Sequence, residues 1–555
     1  MLPYSPFPQY FDTNHPPSIQ DIHHIKDILL DPLGNLRKLD VEIARLQAQR
    51  EVLYTFINNH PTILSPSRRV PPDIWRLVFS CCLPGSDFPV RTITEAPLSL
   101  TRICRSWREI ALTTPGLWNA IHINIAKESP VLYDEWYTRM RARIDGVKRW
   151  LENSGSLPLR ISLSVGEEYK SARGSTYVGA TPPPRHPNMT TEALAADLAA
   201  LLLPYSSRWQ TLSLNDIPFS VLETLLGDGV DVLVLQQISF RPGLPDESTL
   251  VSRLLARGNC SSLRIEGHIP RGLMQPASFW ARLTQLELSA YMPTSRDHFL
   301  LTLAELCPSL TACTLRLFGL SGFSPVHPLT KACEWKHLRK LDVTFLDLVN
   351  TTLISGVLKV INAPLLTEFC IACDFSLVGP GQATESPIHE FLLRSGCEET
   401  LTHLTVDLPR QQEMLVQILA VLPSLKFLRI GRLNRCERGI FSLVNEHLIQ
   451  ALTCISICPR LEELELPNCS PNHVDALLTI PNNRNLKTFM VDFGEQPEWV
   501  DVLLNSGNAT KSLDALRSKG MRVGWHWHAL KCNLYTGLLS RPQPDNVAGL
   551  LFPPV

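Results

Sequence analysis

The chain has 555 residues, of which 44% are hydrophobic and 19% are charged, so it is globular and long enough for several domains or one extended repeat array. Its 52 Lys and Arg residues balance 53 Asp and Glu residues, which leaves no net field to attract nucleic acid or an anionic membrane surface. No apolar stretch reaches the length that spans a bilayer, and residues 1–18 lack the basic start and apolar run of a signal peptide.

Residues 1–30 form a proline-rich segment, and an amphipathic, coiled-coil-like helix is predicted over residues 31–60. Its apolar residues recur at alternating three- and four-residue steps, and Arg50 occupies one of these positions: Leu36, Leu39, Ile43, Leu46, Leu53 and Ile57. Three heptads with a charge among them are marginal for a coiled coil. Two interpretations stay open, a helix that lies on its neighbours, which we favour, and a dimerising coiled coil. We expect a monomer or a weak dimer.

A short amphipathic helix is predicted to begin near Pro72. Adjacent prolines, Pro71 and Pro72, pre-set the backbone at a helix start, and Asp73 complements the helix dipole. One apolar stripe follows before Pro84-Gly85 ends the helix: Ile74, Leu77, Val78, Cys81 and Cys82. A second helical region ends at Thr113-Thr114-Pro115-Gly116 and carries Leu98, Leu100, Ile103, Cys104, Trp107, Ile110 and Ala111. Two helices this short cannot bury both apolar faces against each other, which indicates a docking module.

Residues 65–120 resemble the F-box, and closely the form found in large families of fungal F-box-like proteins. The family pattern is an apolar-Pro-x-acid-Ile start, then Cys-Arg-x-Trp, then Leu-Trp, and here these positions are Val70, Pro71, Asp73, Ile74, Cys104, Arg105, Trp107, Leu117 and Trp118. The departures are Val70 for the usual Leu, Asp73 for Glu, and a long loop from Pro84 to Pro97. An ordinary helical hairpin with Ile103 and Trp107 in its core is the alternative.

The resemblance implies that the module binds a Skp1-like protein and, through it, a cullin-RING ligase. The residues that it assigns to this contact are Val70, Pro71, Ile74, Trp75, Leu77, Val78, Leu98, Leu100, Ile103, Cys104 and Trp107. Physically, this is recognition of an apolar groove by short helices.

From residue 121 the chain repeats a helix, a proline stop and Leu-x-x-Leu-x-Leu or a near variant. The eight clearest copies centre on Leu286, Cys313, Leu341, Phe369, Leu404, Leu428, Leu464 and Phe489, and weaker copies centre on Ile161, Leu212 and Leu263. The first four anchors are 27, 28 and 28 residues apart, within the leucine-rich-repeat range. Each strand is too short to stand alone, so neighbouring units must stack.

The predicted fold class is therefore α/β, with a short N-terminal helix and a helical F-box-like module followed by an irregular leucine-rich-repeat solenoid over residues 121–535. Helices are predicted between strands, for example over 299–306, 413–422 and 446–458. A flexible insertion is expected at about 166–191 and a C-terminal tail at 536–555. A two-layer α/β domain is the alternative.

Candidate catalytic and metal motifs are weak. Cys370 and Cys373 have half-zinc-site spacing, but strand alternation sends them to opposite faces and no second pair accompanies them. His526 and His528 lack an acidic cluster, and Gly319-Leu320-Ser321-Gly322 falls short of a nucleophile elbow. We expect no catalytic residue, metal or cofactor, and no enzyme activity. The fifteen scattered cysteines, such as Cys307, Cys370 and Cys458, favour buried thiols in a reducing cytoplasm or nucleus.

The function expected from these features is that of a substrate-recognition adaptor of a Skp1-cullin-F-box ubiquitin ligase, with the repeats holding an unknown protein substrate. The alternative is a non-catalytic leucine-rich-repeat scaffold that binds the Skp1-like protein without ubiquitin transfer.

Overall fold

The computed structural model describes residues 5–64, 66–85, 88–127, 133–166, 190–227, 230–241, 247–267, 278–291, 296–318, 333–346, 351–373, 386–408, 412–431, 444–467, 469–470, 473–495 and 507–528. The chain divides into two compact units, Met1–Cys81 and Cys82–Val555. The predicted insertion, apart from its ends, and the predicted C-terminal tail lie outside the described residues.

The first unit is helical. A 3-10 turn at Pro8–Tyr10 precedes the long helix α1, Ile19–Leu64, and a second 3-10 turn at Pro66–Arg69 precedes α2, Pro72–Cys81. The helix predicted over 31–60 therefore begins earlier, at Ile19, within residues 1–30, which were predicted as a proline-rich segment. The reason is an N-terminal cap, because the Ser18 hydroxyl accepts a hydrogen bond from the Asp21 N–H at 3.2 Å and donates to the Asp21 carboxylate at 2.6 Å.

The start of α2 agrees with the sequence prediction. The N–H groups of Ile74 and Trp75 donate to the Pro71 carbonyl at 3.1 and 3.2 Å, so the double proline opens the first turn without losing a hydrogen bond that the helix needs. Asp73 forms an ion pair with Arg76 one turn later.

In the second unit, helices alternate with strands. The helices are α3, Arg105–Leu112; α4, Tyr133–Asn153; α5, Thr191–Leu202; α6, Phe219–Leu226; α7, Glu247–Arg257; α8, Arg296–Leu306; α9, Thr351–Val360; α10, Pro387–Ser395; α11, Gln412–Ala420; α12, Glu446–Thr453; α13, Val474–Asn483; and α14, Gly507–Ser518. The strands are β1, Ala120–Ala126; β2, Leu159–Gly166; β3, Trp209–Asn215; β4, Gln237–Phe240; β5, Ser262–Gly267; β6, Gln285–Tyr291; β7, Ala312–Phe318; β8, Cys333–Glu334; β9, Lys340–Phe345; β10, Ile361–Asn362; β11, Glu368–Cys373; β12, His403–Asp407; β13, Phe427–Ile430; β14, Glu463–Leu466; β15, Thr488–Glu495; and β16, Arg522–His528.

Fourteen of the described strands form one parallel sheet in which each strand pairs with the next along the chain, and β8 pairs separately with β10. Parallel neighbours require a crossover between them, and most crossovers here contain a described helix. The fold is therefore α/β.

The repeat anchors identified in the sequence occupy equivalent register positions in this sheet. The residues that follow one another across it are Ile121, Ile161, Leu212, Ile238, Leu263, Leu286, Cys313, Leu341, Phe369, Leu404, Leu428, Leu464, Phe489 and Val523. Three of these strands, β1, β4 and β16, were not recognised as repeat copies in the sequence. Ala120–Ala126 and Arg522–His528 carry no leucine, and Leu235-x-x-Ile238-x-Phe240 replaces two of the leucines.

Arginine side chains join successive crossovers. The Arg257 guanidinium, at the end of α7, donates to the Leu226 and Gly227 carbonyls at the C-terminal end of α6, at 3.0 and 2.9 Å. Arg282 donates in the same way to the Leu255 and Gly258 carbonyls at the C-terminal end of α7. Carbonyl groups at the C-terminal end of a helix have no partner within the helix. Each arginine therefore donates hydrogen bonds to the end of the preceding helix, and its positive charge complements the dipole of that helix.

The predicted crossover helices are present with shifted ends. The helix predicted over 299–306 begins at Arg296, and that over 413–422 spans Gln412–Ala420. The helix predicted over 446–458 ends at Thr453, because Cys454 has extended backbone angles (φ −77°, ψ 119°), while Asn445 caps its start.

Candidate functional site

An exposed apolar strip runs along α2. Ile74, Leu77 and Val78 are 48%, 65% and 40% exposed, and they share one face because they are three and four residues apart. The opposite side carries Phe79, which is fully buried, with its ring centre 5.7 Å from that of the half-buried Trp75. Pro71 is exposed and Val70 half-buried. We call Ile74, Leu77 and Val78 the α2 strip.

The second predicted half of the module, in the second unit, is not one continuous helix. A 3-10 turn at Leu100–Arg102 is separated from α3 by Cys104, whose backbone is extended (φ −155°, ψ 170°) and whose Sγ accepts a hydrogen bond from the Trp107 N–H at 3.4 Å. Arg108 ties the two pieces together, donating from Nε to the Thr101 carbonyl at 2.7 Å.

The predicted contact residues of this half divide by exposure. Ile103 is 63% exposed and Cys104 is exposed, whereas Leu98 and Trp107 are half-buried. Leu100 is only 6% exposed, which places it in the interior. The contact role that the resemblance assigns to Leu100 does not fit this burial, because little of its side chain is open to a partner. We take Ile103 and Trp107 as the candidate contacts here.

The Leu-Trp pair that ends the module is part of the core of the second unit. Leu117 and Trp118 are 1% and 2% exposed. The Trp118 indole donates to the Ala111 carbonyl of α3 at 2.8 Å, and its ring meets that of Trp150 of α4 edge-on, with centres 4.9 Å apart. These contacts fix α3 against α4 and the start of the sheet.

The long loop before α3 also pairs with the sheet, which the sequence did not indicate. The His122 N–H of β1 donates to the Pro89 carbonyl at 2.8 Å, and Val90 forms a parallel bridge with His122. Arg160 of β2 lies over the Phe88 ring, 5.5 Å from its centre. The loop thereby covers part of the β1 edge, which would otherwise present unpaired backbone groups.

A polar cluster lies on β1 and β2. His122 Nδ1 is 2.9 Å from the Ser162 hydroxyl, and Ser164 donates to the Asn124 side chain at 3.0 Å. Burial, followed by the positive charge of Arg143, lowers the pKa of His122. A serine and a histidine are two members of a nucleophilic triad, but no described residue supplies a carboxylate to this imidazole.

Six charged residues form a ladder on the solvent-facing side of neighbouring strands. Arg241 contacts Asp216 at 3.4 Å and Glu266 at 3.0 Å; Arg264 contacts Glu266 at 3.2 Å and Glu287 at 3.1 Å; and Arg316 contacts Glu287 at 3.6 Å. We call these residues the charge ladder. Alternating signs balance its charge, so this face suits a polar protein surface better than a strongly charged ligand.

The motifs considered for metal binding and catalysis gain no support from the described residues. No group of three or more His, Cys, Asp and Glu side chains there is arranged to hold a metal ion. Cys370 is half-buried and Cys373 fully buried, three residues apart on β11. His526 and His528 lie on β16, and Gly319–Gly322 falls outside the described residues.

A shallow groove of about 410 Å³ lies between α12 and α13. Its lining is mostly neutral: Glu446, Ile449, Gln450, Thr453, Ala476, Thr479 and Asn483. These side chains offer hydrogen bonds and one carboxylate, without a pair of titratable groups placed for acid-base chemistry.

The comparisons with known proteins add no relative. No family model matches the chain, and no curated protein is significantly similar to it. Within the described part of the chain, no helix combines the length and the apolarity that crossing a membrane requires.

Proposed function

We propose that the protein is an F-box-type substrate adaptor, which docks to a Skp1-like protein of a cullin-RING ubiquitin ligase and presents a bound target protein. The observation that carries the proposal is the α2 strip. It immediately follows the Pro-Pro-Asp start that resembles the F-box, and its three large apolar side chains are exposed to solvent. Contiguous exposed apolar groups are typical of surfaces that a partner covers.

The α2 strip alone is too small to account for stable binding. Burying three such side chains contributes roughly 1.5–3 kcal/mol each before the costs of association. Micromolar binding requires about 8 kcal/mol net. A second set of contacts is therefore part of the proposal, and Ile103 and Trp107 are its candidates. Large aromatic residues are frequent hot spots, so Trp107 is expected to contribute more than Ile103.

The sheet supplies the second half of the proposed function. In this proposal the sheet is an irregular leucine-rich-repeat solenoid, because strands and crossovers repeat along it with their anchors in one register. Stacked repeats that contact their neighbours are suited to present a target at a fixed position. The charge ladder is the described surface on which we place target contacts.

The adaptor performs no chemistry in this proposal. It raises the effective concentration of a target near the ligase, which supplies the catalytic groups. No cofactor or metal takes part, and the proposed location is the cytoplasm or nucleus, where such ligases act.

Co-expression with a Skp1 homologue tests the docking step. Wild type is expected to co-purify with it, and a Pro71→Ala, Ile74→Asp, Trp107→Ala variant is expected not to, since it removes contacts from both candidate segments. Its control is an Ile455→Asp variant, whose side chain is 60% exposed and lies outside both segments. Equal co-purification by all three proteins, each with an unchanged circular dichroism spectrum, would contradict the assignment.

The same purification separates the adaptor from the alternative scaffold. An adaptor brings down the cullin and ubiquitin conjugates together with the Skp1 homologue. The amount of ubiquitin conjugates then falls when the ligase is inactivated. A scaffold retains the Skp1 homologue alone.

A further inference from the structure

The long helix α1 carries a heptad seam that extends beyond the residues predicted from the sequence. Because α1 begins at Ile19, the positions three and four residues apart extend toward the N-terminus in the same phase as those already identified. The complete set is Ile22, Ile25, Leu29, Leu36, Leu39, Ile43, Leu46, Leu53 and Ile57, interrupted at Pro32 and Arg50. We call these nine residues the α1 seam. It spans five heptads, or about 54 Å of helix at 1.5 Å per residue.

The α1 seam is open to solvent. Eight of its nine residues are between 37% and 62% exposed, and Ile25 is half-buried. Every seam residue from Leu36 to Ile57 is above half exposure. Leaving a row of large apolar groups at a 3.5-residue period in water costs free energy. Such a row is typical of a surface that packs against another helix.

The period of the seam defines the type of partner. An apolar repeat of exactly seven residues drifts around a straight helix, and it stays on one line only when two helices coil around each other. Over five heptads this selects a helix of matching length and period. We propose that a second copy of this chain supplies it, so that α1 forms a homodimeric coiled coil.

The residues that flank the seam favour a second copy over a partner of opposite charge. Of the ten flanking positions between residues 26 and 56, only Lys26, Asp40 and Glu42 are charged. Glu42 is already engaged by Arg45 of the same helix. Coiled coils that select a different chain do so with complementary charges at these positions, and this helix has too few of them. Symmetric pairing of like chains is also the commonest form of association.

The surface available matches what a dimer needs. Nine side chains that each bury on the order of 60–120 Å² would remove roughly 500–1,000 Å² per helix from water, against about 800 Å² per partner in a typical specific interface. Arg50 and Pro32 weaken the pairing, since one places a charge in the seam and the other removes a helical hydrogen bond. A dissociation constant in the micromolar range is therefore expected.

Sedimentation of the purified full-length chain tests this proposal. The monomer mass is 62.3 kDa, and we expect it to double as the concentration rises from about 1 to 100 µM. A Leu39→Asp, Ile43→Asp variant places charges in the middle of the seam and should stay monomeric across that range. The matched control is a Val41→Asp, Val52→Asp variant, because these residues are 70% and 69% exposed on other faces of the same helix, and it should dimerise like wild type.

An Arg50→Leu variant completes the test without disturbing the helix. Removing the charge from the seam should tighten the dimer at least tenfold. The proposal would be overturned if wild type were monomeric at every concentration. It would also be overturned if the dimer of the Arg50→Leu variant had a dissociation constant no lower than that of wild type. Equal loss of dimer in the Val41→Asp, Val52→Asp control, with helix content retained, would also overturn it. The readout contains no Skp1 homologue, so it is independent of the docking proposal.

Discussion

At the scale of single residues, burial separates side chains that the sequence makes look alike. Cys307, Cys370 and Cys458 were all expected to be buried; Cys307 and Cys458 are 1% and 2% exposed, but Cys370 is only half-buried, so that expectation was wrong for Cys370. Burial raises the pKa of both Cys307 and Cys458 to about 12. Exposed Cys454 behaves oppositely, because a hydrogen bond from Ser456 and the nearby charge of Arg484 lower the pKa of its thiol. Composition alone cannot make this distinction.

This difference predicts the order in which thiols react. At about pH 8 a maleimide should label Cys454 within minutes and leave Cys458 unmodified until the protein unfolds, because only the accessible thiolate reacts. Peptide mapping by mass spectrometry after timed labelling measures both rates. Labelling of Cys458 at the rate of Cys454 in the folded protein would contradict the described burial.

His122 predicts a dependence of stability on acid. Because its pKa in the folded protein lies below the ordinary value of 6.5, the unfolded chain binds the proton more readily just below that pH. The contribution of His122 is thus fully present above pH 6.5 and is lost as the pH falls through the lowered value in the folded protein. A His122→Gln variant should lose less of its Tm between pH 7 and pH 5 than wild type, by on the order of 1 °C. Parallel Tm profiles of the two proteins would count against this.

The arginines between crossovers give a second stability prediction. An Arg257→Met variant leaves the Leu226 and Gly227 carbonyls without this donor, so the free energy of unfolding should fall by about 1–3 kcal/mol. Arg517→Met is the control, because Arg517 pairs with the exposed Asp514 three residues earlier, and it should cost less than about 0.5 kcal/mol. Urea unfolding followed by circular dichroism compares them, and equal midpoints would show that the carbonyl contacts contribute nothing.

At the scale of elements, the strands are the part that the sequence predicts best. Each strand repeats the same apolar phase, and parallel neighbours keep the anchors in register. The spacing of apolar residues in the sequence therefore corresponds directly to the strand register of the sheet. The crossover helices are less well predicted at their ends, which depend on local caps such as Asn445. The loop before α3 was predicted, but its pairing with β1 was not, because Val90 pairs with His122 thirty-two positions away and this leaves no local pattern.

Leu341 tests the anchor role at this scale. It is fully buried on β9, which pairs with β7 on one side and β11 on the other. Leu341→Ala should lower the free energy of unfolding by about 2–5 kcal/mol through lost burial and a cavity. The preceding residue supplies the control, since the Lys340 side chain is 58% exposed and Lys340→Ala should cost less than about 1 kcal/mol. Similar unfolding midpoints for the two variants would contradict the register.

At the scale of the whole molecule, the candidate docking residues illustrate how far sequence reasoning reaches. The α2 strip follows from helical periodicity alone, so Ile74, Leu77 and Val78 were identified correctly as one face. Leu100 was included because the resemblance assigns it to the contact, and its burial in the folded chain cannot be read from that pattern. The charge ladder was missed entirely, since its members come from five different segments and meet only through the sheet register.

The central claim is that the exposed strip of α2 binds a Skp1-like protein, and calorimetric titration of the full-length chain with a purified Skp1 homologue tests it most directly. Leu77→Asp and Leu233→Asp form a matched pair, because these leucines are 65% and 66% exposed and only Leu77 lies in the strip. We predict a Kd of micromolar or tighter for wild type and Leu233→Asp, and a Kd at least tenfold weaker for Leu77→Asp. Absence of binding by wild type, or equal weakening by both substitutions, would contradict the account.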